Sequence, residues 1–419
     1  MTPLITNDAV VLALLLSILA FVFVTSHSQR PVFKAFYRYV PAILLCYFLP
    51  SLLNSFGIVS GDASQLYYIS SRYLLPASLV LLTISIDMKG ILNLGPKALV
   101  MFLTGTLGIM LGGPLAMIIV GLISPETIGG EGADAVWRGL STIAGSWIGG
   151  GANQTAMKEV WGVSDTLFSA MITVDIVVAN IWMAFLLYGA GNSAMMDRWL
   201  KADATAINKV KSKIEAYSAS ITRNPSLTDM MVIVAVAFGV TGASHFLTDL
   251  IIPLMKQAAT TATWITDFSL DSSFFWIVVL ATTFGLVISF YRPARELEGA
   301  GASKVGSLLL YILVASIGMK MNILAIFDNP GLFLVGIVWM LFHAGLMLWI
   351  GKLIKAPFFF IAVGSQANVG GAASAPVGAS AFHPSLAPVG VLLAVLGYAL
   401  GTYGAYLSAL VMRYIAGVF

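Results

Sequence analysis

Apolar runs separated by short polar stretches fill nearly the whole chain. Two of them, Ala9 to Ser26 and Ala98 to Ile123, reach the roughly 18 residues that a bilayer-spanning helix needs. The pattern predicts spans near 8–26, 34–56, 68–92, 97–123, 137–156 and 165–190, then a polar stretch from 191 to 226. Further spans follow near 227–245, 247–268, 273–291, 304–326, 330–353, 357–378 and 384–416. Asp249, Lys256 and Asp267 interrupt the one at 247–268, so about thirteen spans compete with twelve.

Lys and Arg near span ends set orientation. Arg30, Lys34 and Arg38 mark the first connection as cytoplasmic, which puts the N-terminus outside; Lys89 and Lys97 fall inside, and the acidic stretch with Glu126, Glu131 and Asp134 outside. With thirteen spans Arg292, Arg295, Lys304, Lys352, Lys355 and Arg413 also fall inside. The cost is a basic 191–226 loop, with Lys209, Lys211, Lys213 and Arg223, on the outside. The segment before Ala9 has Asp8 and no basic residue, so the first run is expected to be a retained helix and not a cleaved leader.

Of 419 residues, 58% are hydrophobic and 10% charged; soluble proteins carry about 25% charged residues. The chain is therefore expected to be an all-α polytopic protein of a bacterial cytoplasmic membrane. A net charge of +3 held mostly in loops suits phospholipid head groups, and no nucleic-acid partner is expected. Cys46 is the single cysteine, and His27, His245, His343 and His383 are scattered without ligand spacing, so no cofactor or structural metal is expected. An intramembrane enzyme is not expected either. There is no HExxH or GxGD motif, and the nearest Ser–His pairing, Ser380 with His383, lies in a predicted external loop.

The chain resembles itself. Ser85-Ile86-Asp87-Met88-Lys89 recurs as Ser316-Ile317-Gly318-Met319-Lys320, and a Gly-rich segment follows each, from Gly145 to Ala156 and from Gly364 to Pro376. Two copies offset by an odd number of crossings are inverted, an arrangement typical of secondary transporters; the alternative is that small residues recur because helices pack closely through them. The inverted reading divides the chain into an N-terminal repeat (1–190), a polar loop with linker helix (191–245) and a C-terminal repeat (246–419).

Gly149-Gly150-Gly151 beside Asn153, Gln154 and Thr155 invites a membrane helix to open, since each Gly costs about 1 kcal/mol of propensity relative to Ala. Open backbone at membrane depth is tolerated where it lines a polar cavity. Gly370-Gly371, with Gln366, Asn368, Ser374 and Pro376, repeats the device. Two discontinuous helices crossing near the midplane would form one site. Its cation ligands would be Asn153, Gln154, Thr155, Asp175, Gln366 and Asn368, with sodium as the ion. Ser146, Gly150, Gly151, Ser365, Gly370, Gly371 and Ser374 would surround the solute.

Ionisable residues inside spans are expensive. Asp175 either binds a coupling cation or proton or is a buried structural acid. Lys158 and Glu159 either serve the site or cap their segment, while Asp87 and Lys89 snorkel at a span end. Trp147 flanks a solute or packs, His343 reads as an interior histidine, and Asp249 and Lys256 share a helix face.

On the stretches from Gly145 to Glu159 and from Gly364 to Pro376, the chain resembles the YjcL-type family of bacterial and plastid membrane proteins, along essentially its whole length. That family is similar to the cation/proton antiporter and anion transporter superfamily, which includes bile-acid-type and glutamate–sodium symporters. The resemblance implies inverted repeats, crossing discontinuous helices, and a core domain that moves against a dimerising panel domain in an elevator mechanism, hence a homodimer. It implies ion or solute ligands at Asn153, Gln154, Thr155, Gln366 and Asn368, and an acidic ion site near Asp175. The chain departs from the antiporters in having one acid instead of an Asp-Asp pair, and from the bile-acid type in lacking an acid in the second crossing segment. The expected function is sodium-coupled symport of a small organic anion, such as an acidic amino acid or short cell-wall-type peptide; the alternative is a sodium/proton antiporter using Asp175.

Overall fold

The computed structural model describes residues 3–417 apart from 38–39, 41, 62, 87–90, 93, 203–223, 269, 321–328 and 384–385. Among the described residues the regular structure is helical, with one isolated bridge between Ile5 and Val59. The helices are α1 (Asp8–Ser26), α2 (Pro31–Tyr37), α3 (Ala42–Ser55), α4 (Leu66–Ile69) and, beyond a π-helical turn at Ser70–Leu74, α5 (Leu75–Ile84). Next come α6 (Pro96–Ile123), α7 (Val136–Trp161), α8 (Asp165–Gly191), α9 (Leu227–Ala259), α10 (Ser273–Ser289) and α11 (Ala302–Gly318). The last are α12 (Gly331–Leu353), α13 (Phe358–Val369), α14 (Gly371–Ser380) and α15 (Ala387–Ala416).

Among the described residues six helices are long and apolar enough to cross a membrane, and up to eight spans result if two bent pairs each count as one. One such bend, of 106°, follows Ser289. Local chemistry places several starts. The Asn7 side chain accepts from Ala9 N, Ser164 accepts from Leu167 N, and Ser226 and Asp229 form a reciprocal capping box at α9. Gly162, left-handed at φ 60°, closes α7.

The two spans expected at 227–245 and 247–268 are one helix, α9, of 33 residues. Asp249 and Lys256 do not divide it, because a solvated or head-group face near a helix end tolerates charge. At about 1.5 Å per residue it is roughly 50 Å long, more than the hydrocarbon core is thick. The expected repeat partner 85–89 is described only through Ile86, and most of the basic 203–223 stretch lies outside the described residues.

Packing sorts the helices into two groups. In the first, α6, α7, α8 and α12–α15 pack on one another, with α7 and α15 in the most extensive contact. The second comprises α1, α3, α5, α9, α10 and α11. Small residues permit the close approach that drives association where lipid offers no hydrophobic gain. At Gly112 a Cβ would lie 2.5 Å from Trp339 Cδ1, so α6 and α12 meet there without room for a methyl. The groups touch where α5 and α10 reach α7 and α15.

Candidate functional site

Both Gly-rich segments are broken. Inside α7, Gly150 leaves helical geometry at φ 73°, ψ −173°, a conformation essentially confined to glycine. Between α13 and α14 the chain turns at Gly370 and Gly371, the latter at φ 55°. The breaks face each other: a Cβ on Gly371 would stand 3.7 Å from Gly150 Cα. Each break exposes the carbonyl end of one half-helix and the N–H end of the next.

A cavity of 420 Å³ opens beside them, between the two helix groups. From the first group, Gly150, Gly151, Gly370 and Ser374 line it at the breaks, with Ser146, Gln154 and Gln366 one turn away. Asp175 and Asn180 enter from α8, and Tyr47 and Tyr311 of the second group, with Tyr37 of α2, form the opposite wall. Tyrosine phenols aside, Asp175 is the one ionisable side chain on this lining among the described residues.

Asp175 is buried and held by two N–H donors. Trp147 Nε1 donates to its Oδ1 at 2.5 Å and Gln154 Nε2 to its Oδ2 at 2.9 Å. A carboxylate has about four acceptor sites, and the Ser146 hydroxyl also stands against this one, so at least one site remains for a ligand. Trp147 itself packs edge-on against Trp339, 5.2 Å between centroids, and orients the acid instead of lining the cavity. Of the five buried side-chain atoms without a hydrogen-bond partner among the described residues, two are on cavity-lining residues, Tyr47 Oη and Gln366 Nε2. Leaving such groups unpaired costs about 1–3 kcal/mol each, and a polar occupant would relieve that.

The structure therefore brings together Ser146, Gly150, Gly151, Gln154, Asp175, Gln366, Gly370 and Ser374. Asn153, Thr155, Ser365, Asn368 and Gly371 lie behind that surface. The two asparagines make matching sets of bonds. Asn153 Nδ2 donates to the carbonyls of Gly149 and Tyr398, and its Oδ1 accepts from Thr402. Asn368 Nδ2 donates to Gly364 and Phe102, and its Oδ1 accepts from Thr106. In each case the threonine lies four residues after the carbonyl, one helical turn along the neighbouring helix. Thr155 Oγ1 donates to Gly151 O at 2.9 Å. Ser365 receives Trp182 Nε1 and meets His343 Nε2 at 2.8 Å; both residues are fully buried, and His343 is the interior histidine expected.

At one end of α7, Lys158 and Glu159 belong to a charged cluster that spans the two groups. Arg72 Nη1 lies 2.7 Å from Glu159 Oε2, and Tyr67 also donates to Glu159. Lys158 reaches Tyr67 Oη at 2.8 Å and Asp165 at 2.7 Å, and Lys320 approaches Asp165 at 3.6 Å. Arg72 sits on the π-helical turn, a distortion that frequently marks functional positions. Sequence reasoning passed over Arg72, Tyr67 and Tyr47. Arg72 was findable as a base within the predicted span 68–92, whereas a tyrosine in an apolar run carries no such signal.

A family model described as "Protein of unknown function (DUF819)" matches residues 13–415. The chain belongs to the DUF819 family. It is 24% identical over 351 residues to the uncharacterized membrane protein YjcL of Bacillus subtilis (strain 168), covering 81% of this chain and 82% of that relative. With its long apolar helices, this DUF819 member is a multi-pass helical membrane protein.

Proposed function

We propose that this protein is a secondary active transporter that holds its solute in the cavity at the facing breaks and exposes it alternately to the two sides of the membrane. The observation that carries the reading is the pair of breaks at Gly150 and Gly371, abutting at a cavity with unpartnered buried donors and one acid. Broken helices at a shared midplane site are a recurring transporter device. The cavity lies between two helix groups, so a shift of the first group (core) against the second (panel) would change which side it faces.

In this reading the coupling ion is sodium, held by Asp175 with the hydroxyls of Ser146 and Ser374 and the second lone pairs of carbonyls at the breaks. The cargo is a small organic anion, an acidic amino acid or short peptide among the candidates. The free N–H groups that begin residues 151–161 and α14, with Gln366 Nε2 and Tyr47 Oη, supply donors for its acid group. The matched asparagine bonds and the recurring Gly-rich segments support two inverted repeats and kinship with the antiporter and anion transporter superfamily. A bacterial cytoplasmic membrane and a homodimer complete the proposal, and enzyme chemistry has no place in it. The second reading, sodium/proton antiport, is favoured by the solitary acid on the lining.

The test uses Ser374→Cys in a Cys46→Ala background, labelled with a membrane-impermeant maleimide in right-side-out and inverted vesicles. Alternating access requires labelling from both sides, with the ratio changed by sodium. Labelling from one side only, whatever the ion, would overturn it. Dissipation of a pH gradient on adding sodium, without any solute, would favour the antiporter.

A further inference from the structure

A second cavity, of 570 Å³, lies between α1, α11 and α15. Its walls are apolar, with Leu16, Leu19 and Phe23 from α1, Leu82 from α5, and Val391 and Val395 from α15. Leu16, Phe23, Leu308 and Val391 on its rim are exposed at the protein surface, and on a membrane protein that surface faces acyl chains. Apart from the tyrosines Tyr311 and Tyr398, its polar residues lie on the first turns of α11: Ser303, Lys304 and Ser307. Ser303 is engaged by Glu298, which accepts from both its N and Oγ. Lys304 and Ser307 have no hydrogen-bond or ion-pair partner among the described residues.

We propose that this second cavity holds one acyl chain of an anionic phospholipid, with the headgroup phosphate on Lys304 and Ser307. The lining commits the site to a bilayer molecule, since its walls are apolar and its exposed residues Leu16, Phe23, Leu308 and Val391 are apolar side chains. The charge commits it to an anionic head, because the polar end carries a lysine and a hydroxyl while the nearby carboxylate of Glu298 is already occupied. A cavity of this size falls within the range of specific small-molecule sites.

The occupant would touch the transport cavity through shared walls. Tyr311 lines both cavities and packs edge-on against Phe23 at 4.8 Å between centroids. Tyr398 lines the second cavity, gives its carbonyl to Asn153, and its ring would meet a Cβ placed on Gly150 at 3.8 Å. Because α1 and α11 belong to one helix group and α15 to the other, a chain seated here is a wedge between the groups. Its presence would bias how far they slide.

The experiment uses the full chain in nanodiscs with trace phosphatidylglycerol or phosphatidylcholine carrying a photoreactive diazirine in one acyl chain, and maps the labelled peptides. Expected is labelling concentrated on α1, α11 and α15 and several-fold stronger with phosphatidylglycerol. Lys304→Gln should abolish the preference and Lys304→Arg retain it. Ala20→Phe, which fills the cavity from its open side and spares the buried core, should reduce labelling by either lipid. Equal labelling by the two lipids, a preference that survives Lys304→Gln, or label spread over all outward faces would overturn the proposal. None of these readouts requires transport, so the lipid site stands or falls apart from the transporter reading.

Discussion

Thr402 Oγ1 donates to Asn153 Oδ1 at 2.6 Å and so ties the last long helix to the first broken one just beyond its break. Thr282, on α10 of the other helix group, lies 3.2 Å from the same hydroxyl, so the bond stands at the boundary along which the groups would slide. Thr402→Val leaves the buried Asn153 Oδ1 without that donor. A buried bond of this kind in membrane proteins is worth about 1 kcal/mol. The expected result is a lower melting temperature, with a larger drop for Asn153→Ala, which also frees the Tyr398 carbonyl. Both drops should be equal in sodium and in choline, because the asparagine's polar atoms are engaged by protein. A loss confined to sodium would instead make Asn153 an ion ligand.

Asp175→Asn keeps the shape and removes the charge. One oxygen remains to accept from Trp147 or Gln154, while the new amide N–H₂ faces a donor. The protein should fold, and any stabilisation by sodium over choline, which follows from binding to the folded state alone, should fall at least about tenfold in apparent affinity. Full retention of that stabilisation would move the cation site away from this acid.

Gly150→Ala and Gly151→Ala form a contrasting pair. At φ 73°, ψ −173° an alanine is strained by about 1–3 kcal/mol. At Gly151 the backbone is not left-handed and an added Cβ meets only Leu310 Cδ2, at 4.0 Å. Thermal melts should show a clear loss for the first and a change within about 0.5 kcal/mol for the second. Equal effects would mean that the break is not where the structure puts it.

Arg72 and Glu159 join the helix groups through a pair whose carboxylate is nearly buried and whose guanidinium is partly exposed. Removing one partner strands the other, so Arg72→Gln and Glu159→Gln should each destabilise, and the double variant should recover part of the loss. If the pair also restrains sliding, each single variant will alter the two-sided labelling ratio at Ser374→Cys. Strict additivity of the two substitutions would show that the contact has no energetic role.

Much of this was legible in the pattern of residues. Long apolar runs reported the helical, membrane-protein character and the six longest apolar helices, though not a count of thirteen spans, since lipid demands internal backbone bonding and an apolar exterior. Consecutive glycines reported the breaks, because nothing in a continuous helix requires them. The sequence also singled out Asp175, whose burial at membrane depth is costly without a purpose. What it could not separate was ligand from support. Asn153 and Gln154 are neighbours of similar chemistry, yet one turns toward Thr402 and the other toward the cavity, and only helix rotation decides between them. The two spans read into α9 failed for another reason: Asp249 and Lys256 look like interruptions by hydropathy, while helix continuity depends on backbone bonding that charged side chains leave intact. Tyr47 was hidden because its polar tip matters only after α3 packs on α11 and faces α8 across the cavity.

The solitary acid on the cavity wall has an electrical consequence. When ionised and empty, it puts one negative charge at membrane depth, and a charge moved across the full membrane field gains or loses about 2.3 kcal/mol per 100 mV. A bound sodium cancels that charge, and a monovalent anion bound beside it restores one. A sodium–anion symporter built on this one acid would therefore meet the field equally when empty and when loaded, whereas a sodium/proton exchange would carry a neutral site in both directions.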